Sequence, residues 1–250
     1  MRILGTAVSS VTLTETVARI EHWIHNPGTR PRYVVATGFH GLWIAHQDPD
    51  FKRILNDADL FCPDGIAPVW ISRLRRESLP ERVPGPDILT AFLERADREG
   101  YRSFYYGDTQ ETLDALGLRL AARFPGQVTV GTCSPPFRAL APEEDAAIVA
   151  LINDSRPDVL WVGLGLPKQE RWIHEHLDRL RVPVIVGVGA AFGFASGRVS
   201  RAPGWIGRLG FEWVWRLAAE PRKLWRRDLL DGPRFLFHAF LETAGLRKYD

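Results

Sequence analysis

Short apolar runs alternate with longer segments of helical period as far as Gly197, and this alternation constrains the fold more than any other feature of the sequence. The apolar runs predict strands and the segments between them predict helices. The strands are expected at 32–37, 59–62, 102–107, 127–132, 158–165 and 183–189, and the helices at 12–26, 39–47, 65–75, 86–99, 109–123, 142–154 and 167–180. Strands that are apolar throughout are typical of parallel sheets covered on both faces. The sequence therefore predicts an α/β, Rossmann-like layered fold with a mostly parallel sheet.

A shift in composition after Gly197 predicts a C-terminal helical appendage. Between Arg201 and Arg227, seven basic residues stand against two acidic ones, and four of the nine tryptophans fall in the same stretch. We expect residues 1–197 to form an α/β catalytic domain and residues 198–250 a membrane-association appendage.

The appendage has apolar residues at positions 205, 206, 209, 213 and 217, which lie on one stripe of a helix. Pro221 is expected to break that helix. An amphipathic helix packed on the core would explain the stripe, and Glu212 in its middle fits that interpretation. The combination of tryptophan and arginine favours an interfacial element at anionic lipid or pyrophosphate head groups. Burial of this appendage, called the tail below, in a homo-oligomer interface stays open.

Overall composition excludes several classes of protein. A net charge of +2 makes no general case for nucleic acid, and the longest apolar stretch, residues 182–195, is too short to span a bilayer. The N-terminus is too weakly apolar for a signal peptide. The two cysteines form no CxxC pair, which excludes a disulfide framework and a thiol redox motif. The simplest expectation is a cytoplasmic protein, soluble or peripheral on the membrane.

Two polar side chains follow strands in the first half of the chain. Thr37 ends the run "RYVVAT", and Asp64 follows the next strand in "CPDG". At the carboxyl edge of a sheet the threonine hydroxyl would face the ligand crevice, and the aspartate could serve as a general base. The alternatives are a helix cap for Thr37 and a turn or cap residue for Asp64.

Glycine-rich strand exits occur twice in the second half. In "GLGLPKQE" the strand reaches Gly165, Pro167 is expected at the first helical position, and the free N–H groups of the first turn would attract phosphate. The first turn carries Lys168, Gln169 and Glu170. The second exit, "GVGAAFGFASG", includes Gly189. A plain strand-to-helix turn with a solvated first turn is the alternative for the first exit.

Metal sites are weakly indicated. The "DPD" run resembles the DxD element of some metal-dependent glycosyltransferases, but Asp48 or Asp50 is better placed to cap the next helix. His174 and His176 are two residues apart on a predicted helix and so point to different faces. We expect surface positions for these residues.

Six fragments in order resemble the WecG/TagA/CpsF family of bacterial glycosyltransferases over nearly the whole chain. They are "PDGIAPVW", "PERVPGPDIL", "FYYGDTQETLDALGLRLAARFPG", "VGLGLPKQERWI", "GVGAAFGFASGRVSRAPGWI" and "GFEWVWRLAAEPRKLWRRDLL". Members transfer a sugar from a nucleotide-sugar donor, usually UDP-linked, to a polyprenyl-diphosphate-linked saccharide in cell-surface polysaccharide assembly. The resemblance implies an inverting enzyme without metal or other cofactor, peripheral on the inner face of the membrane.

The resemblance also assigns roles to residues of this chain. Asp64 would be the general base, with Thr37 in the same pocket. Gln169, with Lys168 and Glu170, would hold donor groups, and Arg82 would offset diphosphate charge. The resemblance also makes three arginines of the tail candidates for the lipid diphosphate: Arg216, Arg222 and Arg226.

Two departures from the family pattern leave the donor sugar open. The family commonly has asparagine where this chain has Phe39, followed by His40, and often has aspartate where this chain has Gly193. An N-acetylmannosamine-type donor and a glucose-type hexose therefore both remain expected donors.

Two competing functions stay open beside the transferase. A non-catalytic nucleotide-binding or membrane-docking module would retain the fold without turnover. A nucleotide-sugar epimerase or dehydrogenase would require an N-terminal GxGxxG and a YxxxK pair, and the sequence contains neither.

Overall fold

The computed structural model describes residues 1–77, 79–203, 206 and 212–249, apart from the side chain of Lys223. The main-sheet strands are β3 (Arg32–Thr37), β4 (Leu60–Pro63), β5 (Arg102–Gly107), β6 (Val128–Cys133), β7 (Val159–Gly163) and β8 (Val184–Gly187). The helices before residue 200 are α1 (Leu13–His25), α2 (Phe39–Gln47), α3 (Pro49–Asn56), α4 (Ile66–Leu74), α5 (Gly85–Glu99), α6 (Gln110–Arg123), α7 (Pro142–Ser155), α8 (Lys168–His176) and α9 (Ala191–Ala195). The predicted Rossmann-like layered fold is confirmed.

The six strands form one parallel sheet in the order β4-β3-β8-β7-β5-β6. The chain returns from β7 to place β8 between β3 and β7, so strands from both halves of the sequence lie side by side at the centre. The carboxyl ends of β3, β4, β7 and β8 consequently share one edge, which is where ligands of such sheets bind.

Apolar side chains cover both faces of the sheet. On β3, Tyr33 and Val35 pack into one core and Val34 and Ala36 into the other, as the alternation of a strand requires. The two cores hold the strands rigidly, so the residues that follow their carboxyl ends are fixed relative to one another.

Several elements escape the sequence prediction. A two-stranded antiparallel sheet of β1 (Arg2–Ile3) and β2 (Thr6–Ala7) precedes α1, and α3 and α9 are additional short helices. Proline at the start of α3 and the side chain of Asp48, which accepts from the Phe51 N–H at 3.1 Å, explain why α3 begins where it does.

The tail is mainly helical from Glu212 onwards. It comprises α10 (Glu212–Ala219), α11 (Pro221–Trp225), a π-helical turn (Arg226–Asp231) and α12 (Gly232–Thr243). The break expected at Pro221 is confirmed, because α10 ends at Ala219. Three positions used in the sequence argument, Trp205, Arg208 and Leu209, lie outside the described residues. Over the described ranges, every helix is too short or too polar to cross a bilayer.

The last helix belongs to the core of the α/β layer. Phe235 and Ala239 of α12 are buried in the same apolar core as Tyr33 and Val35 of β3. Arg75, just after α4, donates to Glu242 at 2.6 Å and to the Thr243 hydroxyl at 2.9 Å. The segment between α9 and α12 is thus attached to the fold at both ends.

Candidate active site

Thr37 and Asp64 lie together at the ends of two paired strands. β3 and β4 pair with Thr37 opposite Pro63, and the Asp64 N–H donates to the Thr37 carbonyl oxygen at 3.0 Å. Gly38 makes this approach possible, because a Cβ there would stand 1.9 Å from the Asp64 carbonyl oxygen. Gly65, with φ +97°, then turns the chain into α4.

Neither side chain caps a helix. The N-cap of α2 is Gly38 and that of α4 is Gly65, and no side chain bonds to either helix start. The cap interpretations of Thr37 and Asp64 are therefore wrong. Thr37 is buried, and its hydroxyl and methyl group pack against the Cα of Gly41 in the first turn of α2.

Asp64 is a half-buried carboxyl whose side chain accepts no hydrogen bond from the residues that the structure describes. Burial, followed by the nearby Glu212 carboxylate, raises its pKa to about 6, and Arg82 and Arg216 act in the opposite direction. A carboxyl with a pKa near neutrality suits a general base, because it is ionised at working pH and still basic enough to take a proton.

Arg82 reaches Asp64 from the loop before α5. The Val83 N–H donates to the Pro63 carbonyl oxygen at 2.8 Å, which fixes this loop beside the end of β4. The Arg82 guanidinium donates to Glu212 at 2.8 Å, so the cation predicted to meet diphosphate is paired with a carboxylate of the tail.

Arg201 extends the same network. Its guanidinium pairs with Asp87 and lies 3.6 Å from the second oxygen of Glu212. Sequence reasoning missed Asp87 and Arg201 and assigned Glu212 to ordinary packing. No sequence signal could have found this network, because Arg82 and Asp87 are more than 100 residues away from Arg201 and Glu212 along the chain.

Arg216 links Asp64 to a cavity of about 300 Å³. Its guanidinium lies 5.7 Å from the ring centre of Phe194 and 3.7 Å from Glu220. Its Nε is buried without a hydrogen-bond partner among the described residues. An N–H group in that state is a donor available to an anion. The cavity is lined by Arg198, Val199, Ser200, Trp215, Arg216, Ala219 and Glu220.

Gln169 is held between two strand exits. Its Oε1 accepts from the Gly189 N–H at 3.0 Å, its Nε2 donates to Glu170 at 2.7 Å, and its amide packs on Gly187. These bonds fix which end of the amide faces which neighbour. Gly165 accepts from the Gln169 N–H at 2.9 Å and completes the turn.

Glu170 is fully buried behind Gln169, so the first turn of α8 is not solvated as the alternative supposed. Its Oε2 and the nearby Tyr33 hydroxyl are both buried without a partner among the described residues. Burial raises the pKa of Glu170 to about 7. Lys168 is exposed at the start of α8, and Pro167 precedes the helix rather than occupying its first position.

The other tail arginines occupy different places. Arg222 and Arg226 are exposed, and Arg226 lies 5.3 Å from the ring centre of Trp225; neither is among the charges that shift the pKa of Asp64. Arg227, which sequence reasoning did not select, lies near His40 and, after burial, lowers the pKa of its imidazole.

The two departures from the family pattern have structural explanations. Phe39 packs its ring 5.9 Å from that of Phe235, so it joins the strand-end site to α12. Gly193 is buried in α9, where a Cβ would lie 3.0 Å from a methyl of Val199, so an aspartate there would require Val199 to move.

The weaker candidates are accounted for by local contacts. Asp48 caps α3, as expected, and it also pairs with Arg171. His174 is partly exposed and lies 3.2 Å from Asp57. The expectation that His176 is a surface residue is wrong, because it is buried, stacked on Trp172 and bonded to Asp145 at 2.7 Å.

Over the described part of the chain, no three or more histidine, cysteine, aspartate or glutamate side chains lie close enough to hold one metal ion.

Comparison with known proteins places the chain in one family. The family model described as "Glycosyl transferase WecG/TagA/CpsF family" matches residues 1–249. Three similar proteins bear the name N-acetylglucosaminyldiphosphoundecaprenol N-acetyl-beta-D-mannosaminyltransferase. The one from Bacillus spizizenii is 33% identical, covering 77% of this chain and 72% of the relative. The one from Bacillus subtilis strain 168 is 31% identical, covering 82% and 77%.

The third, from Staphylococcus aureus strain NCTC 8325, is 26% identical over 90% of this chain and 86% of the relative. The family match therefore spans the strand-end site, the buried Gln169 and Glu170 pair, and the tail. This chain belongs to the WecG/TagA/CpsF family of glycosyltransferases.

Proposed function

We propose that this chain is an inverting glycosyltransferase that moves a sugar from a UDP-sugar to a polyprenyl-diphosphate-linked saccharide in cell-surface polysaccharide synthesis. The observation that carries the proposal is Asp64, a carboxyl free of hydrogen bonds among the described residues, with a pKa of about 6 and arginines nearby. The relatives' names supply the acceptor class, because they describe transfer to an N-acetylglucosaminyl-diphosphoundecaprenol.

Asp64 takes the proton from the acceptor hydroxyl, whose oxygen attacks the anomeric carbon opposite the departing nucleoside diphosphate and inverts the configuration there. Negative charge moves from the carboxylate to the leaving diphosphate. Arg82 and Arg216 are the nearby cations available to stabilise that charge. Thr37, adjacent to Asp64, contacts the acceptor or donor sugar.

Gln169 binds the donor through the free part of its amide, with Glu170 holding its orientation from behind. Gly165 and Gly189 give the donor access to the backbone at the two strand exits. Exposed Lys168 stands at the start of α8, where positive charge and free N–H groups favour phosphate. Arg222 and Arg226 remain proposed contacts for the lipid diphosphate.

The division at residue 197 is retained as a functional proposal: residues 1–197 carry catalysis, and residues 198–250 complete the site and contact the inner face of the cell membrane. Large apolar side chains of the tail, including Trp213, Trp225 and Leu229, are exposed. Exposed tryptophan beside arginine is suited to a head-group region.

A UDP-sugar panel tests the proposal. UDP-linked N-acetylmannosamine, glucose and other hexoses are offered with a polyprenyl-diphosphate N-acetylglucosamine acceptor, with and without EDTA. Transfer of one sugar, with inverted configuration and unaffected by EDTA, is expected. UDP binding without transfer of any sugar would favour the non-catalytic module, and loss of transfer with EDTA would overturn the metal-independent mechanism.

A further inference from the structure

An apolar groove of about 230 Å³ runs between α4 and α12, outside the site described above. Trp70, Ile71 and Leu74 of α4 form one wall. The other wall is formed by Leu236, Ala239, Phe240 and Thr243 of α12. The hydroxyl of Thr243 donates to the Ala239 carbonyl oxygen at 2.7 Å and accepts from Arg75, so it is already occupied within the fold.

Large apolar side chains in this groove are open to solvent. Trp70 is 50% exposed, Leu74 66% and Phe240 59%. Exposed apolar side chains gathered along one groove mark a binding surface rather than ordinary surface variation.

Both helices that form the groove begin near Thr37 and Asp64. The first residue of α4 comes two residues after Asp64. The first residue of α12, Gly232, lies close to the ring of Phe39, which follows Thr37 by two residues: a Cβ on Gly232 would be 3.8 Å from that ring. The far ends of the two helices meet where Arg75 bonds to Glu242 and Thr243. The helices therefore run side by side in the same direction, away from the strand ends.

The distance between Asp64 and the apolar part of the groove suits the lipid portion of a lipid-linked acceptor. At about 1.5 Å of rise per residue, Trp70 lies about 6 Å and Leu74 about 12 Å beyond the start of α4. A saccharide and a diphosphate therefore have room between Asp64 and the apolar part of the groove. A broad apolar face could contact a bilayer or a second copy of the protein equally well. A narrow groove that leads away from the general base instead has the shape to bind a single linear hydrocarbon chain.

We infer that the groove between α4 and α12 binds the first isoprene units of the acceptor's polyprenyl chain, outside the bilayer. This inference rests on the proposed function for the identity of the ligand, and it assigns a specific substrate contact to the catalytic layer and to the last helix. The groove thereby fixes the direction in which the diphosphate-linked saccharide approaches Asp64.

Calorimetric titration with farnesyl diphosphate and with inorganic diphosphate tests the groove directly, in buffer without membranes and below the concentration at which the lipid forms micelles. Wild type is expected to bind farnesyl diphosphate at least tenfold more tightly than inorganic diphosphate. The variant Leu74→Ser/Phe240→Ser should lose that preference.

The matched control is Phe237→Ser, which removes an equally exposed phenylalanine, 60% exposed, from the same helix but outside the groove lining. It should keep the preference. A preference that survives in the groove variant, or that falls equally in the control, overturns the inference. So does a groove variant that changes only self-association in sedimentation, since that result assigns the groove to a second copy.

Transfer assays separate this inference from the proposed function. With N-acetylglucosaminyl-diphosphate acceptors carrying either farnesyl or methyl, wild type should have a KM at least fivefold lower for the farnesyl acceptor. In the groove variant the two KM values should converge. If wild type transfers no sugar to either acceptor, the proposed function fails, and the titration alone decides whether the groove binds a prenyl chain.

Discussion

Arg82 donates a 2.8 Å hydrogen bond to Glu212, and this contact brings the tail close to Asp64. It joins the loop before α5 to the first residue of α10, and it places a carboxylate near Asp64. The electrostatic consequence is an acid whose pKa depends on a residue of the tail.

The pH profile should report that dependence. Because Asp64 must be ionised to accept a proton and its pKa is about 6, kcat/KM is expected to fall as pH drops through about 6. Glu212→Gln removes a like charge and should shift this acid limb to lower pH by roughly half a unit to one unit. Arg216→Gln should shift it to higher pH. Glu111→Gln, at an exposed site on α6, is the control and should leave the profile unchanged. An acid limb at the same pH in all of these variants would refute its assignment to Asp64.

Asp64→Asn should abolish turnover while UDP binding persists. The amide has the size of the carboxyl but cannot take the proton, so kcat should fall by about 10²- to 10⁴-fold. Transfer assays and calorimetric titration with UDP measure the two properties separately. Asp48→Asn is the matched control, because asparagine caps a helix as well as aspartate does. A variant pair in which Asp48→Asn is inactive and Asp64→Asn is active would restore the metal-site interpretation of "DPD".

Glu170 should make the protein less stable as pH rises. Its pKa is near 4.5 when the chain is unfolded and about 7 when buried in the native state, so the native state holds the proton more tightly. The stabilisation is complete below about pH 4.5 and is lost as pH rises to about 7, a loss of about 3 kcal/mol. Denaturant unfolding at pH 4.5 and pH 8 measures this change in the free energy of unfolding. Between those two pH values, the free energy of unfolding of Glu170→Gln should fall by about 3 kcal/mol less than that of wild type.

The donor KM of the Glu170 variants should report whether Glu170 orients the Gln169 amide. A glutamine at position 170 can still accept from the Gln169 amide, so donor KM should change little. Glu170→Leu removes the acceptor altogether and should raise donor KM more than it lowers kcat. A donor KM unaffected by Glu170→Leu would show that the Gly189 bond alone holds Gln169.

Membrane contact should depend on the exposed apolar residues of the tail. Leu229→Ser/Leu230→Ser is expected to weaken sedimentation with anionic vesicles by at least about tenfold, because each leucine that enters the interface contributes on the order of 1 kcal/mol. Leu118→Ser/Leu151→Ser, a pair on α6 and α7 that is at least as exposed on average, is the control. Point variants are preferable to truncation after Gly197, which would remove Phe235 and Ala239 from the core. Equal sedimentation of both variants and wild type would contradict the membrane proposal.

Strand positions could be predicted because the apolar runs of a buried parallel sheet are continuous. All six main strands fall within two residues of their expected bounds. The placement of Thr37 and Asp64 at one edge followed from the same logic, since parallel strands deliver their carboxyl ends to one side.

Long-range contacts of charged side chains could not be predicted. Nothing in the sequence around Arg82 or Glu212 indicates that these residues pair across 130 positions. His176 was misassigned because its local sequence is polar, whereas its burial depends on Asp145, Trp172 and the packing of α7 against α8. Helical periodicity reports which face of a helix is apolar, but it does not report what a neighbouring helix covers.

Anchorage of the tail at both ends has a consequence for protein engineering. Because Phe235 and the contact with Arg75 hold α12 to the fold, the chain between α9 and α12 is anchored at both of its ends and is not a freely separable terminal module. A chimera that exchanges acceptor preference between relatives would therefore need two junctions, one before Arg198 and one within α12 that keeps the resident Phe235 and Glu242. A single crossover after Gly197 would replace Phe235 and Ala239 of the apolar core with side chains fitted to a different partner.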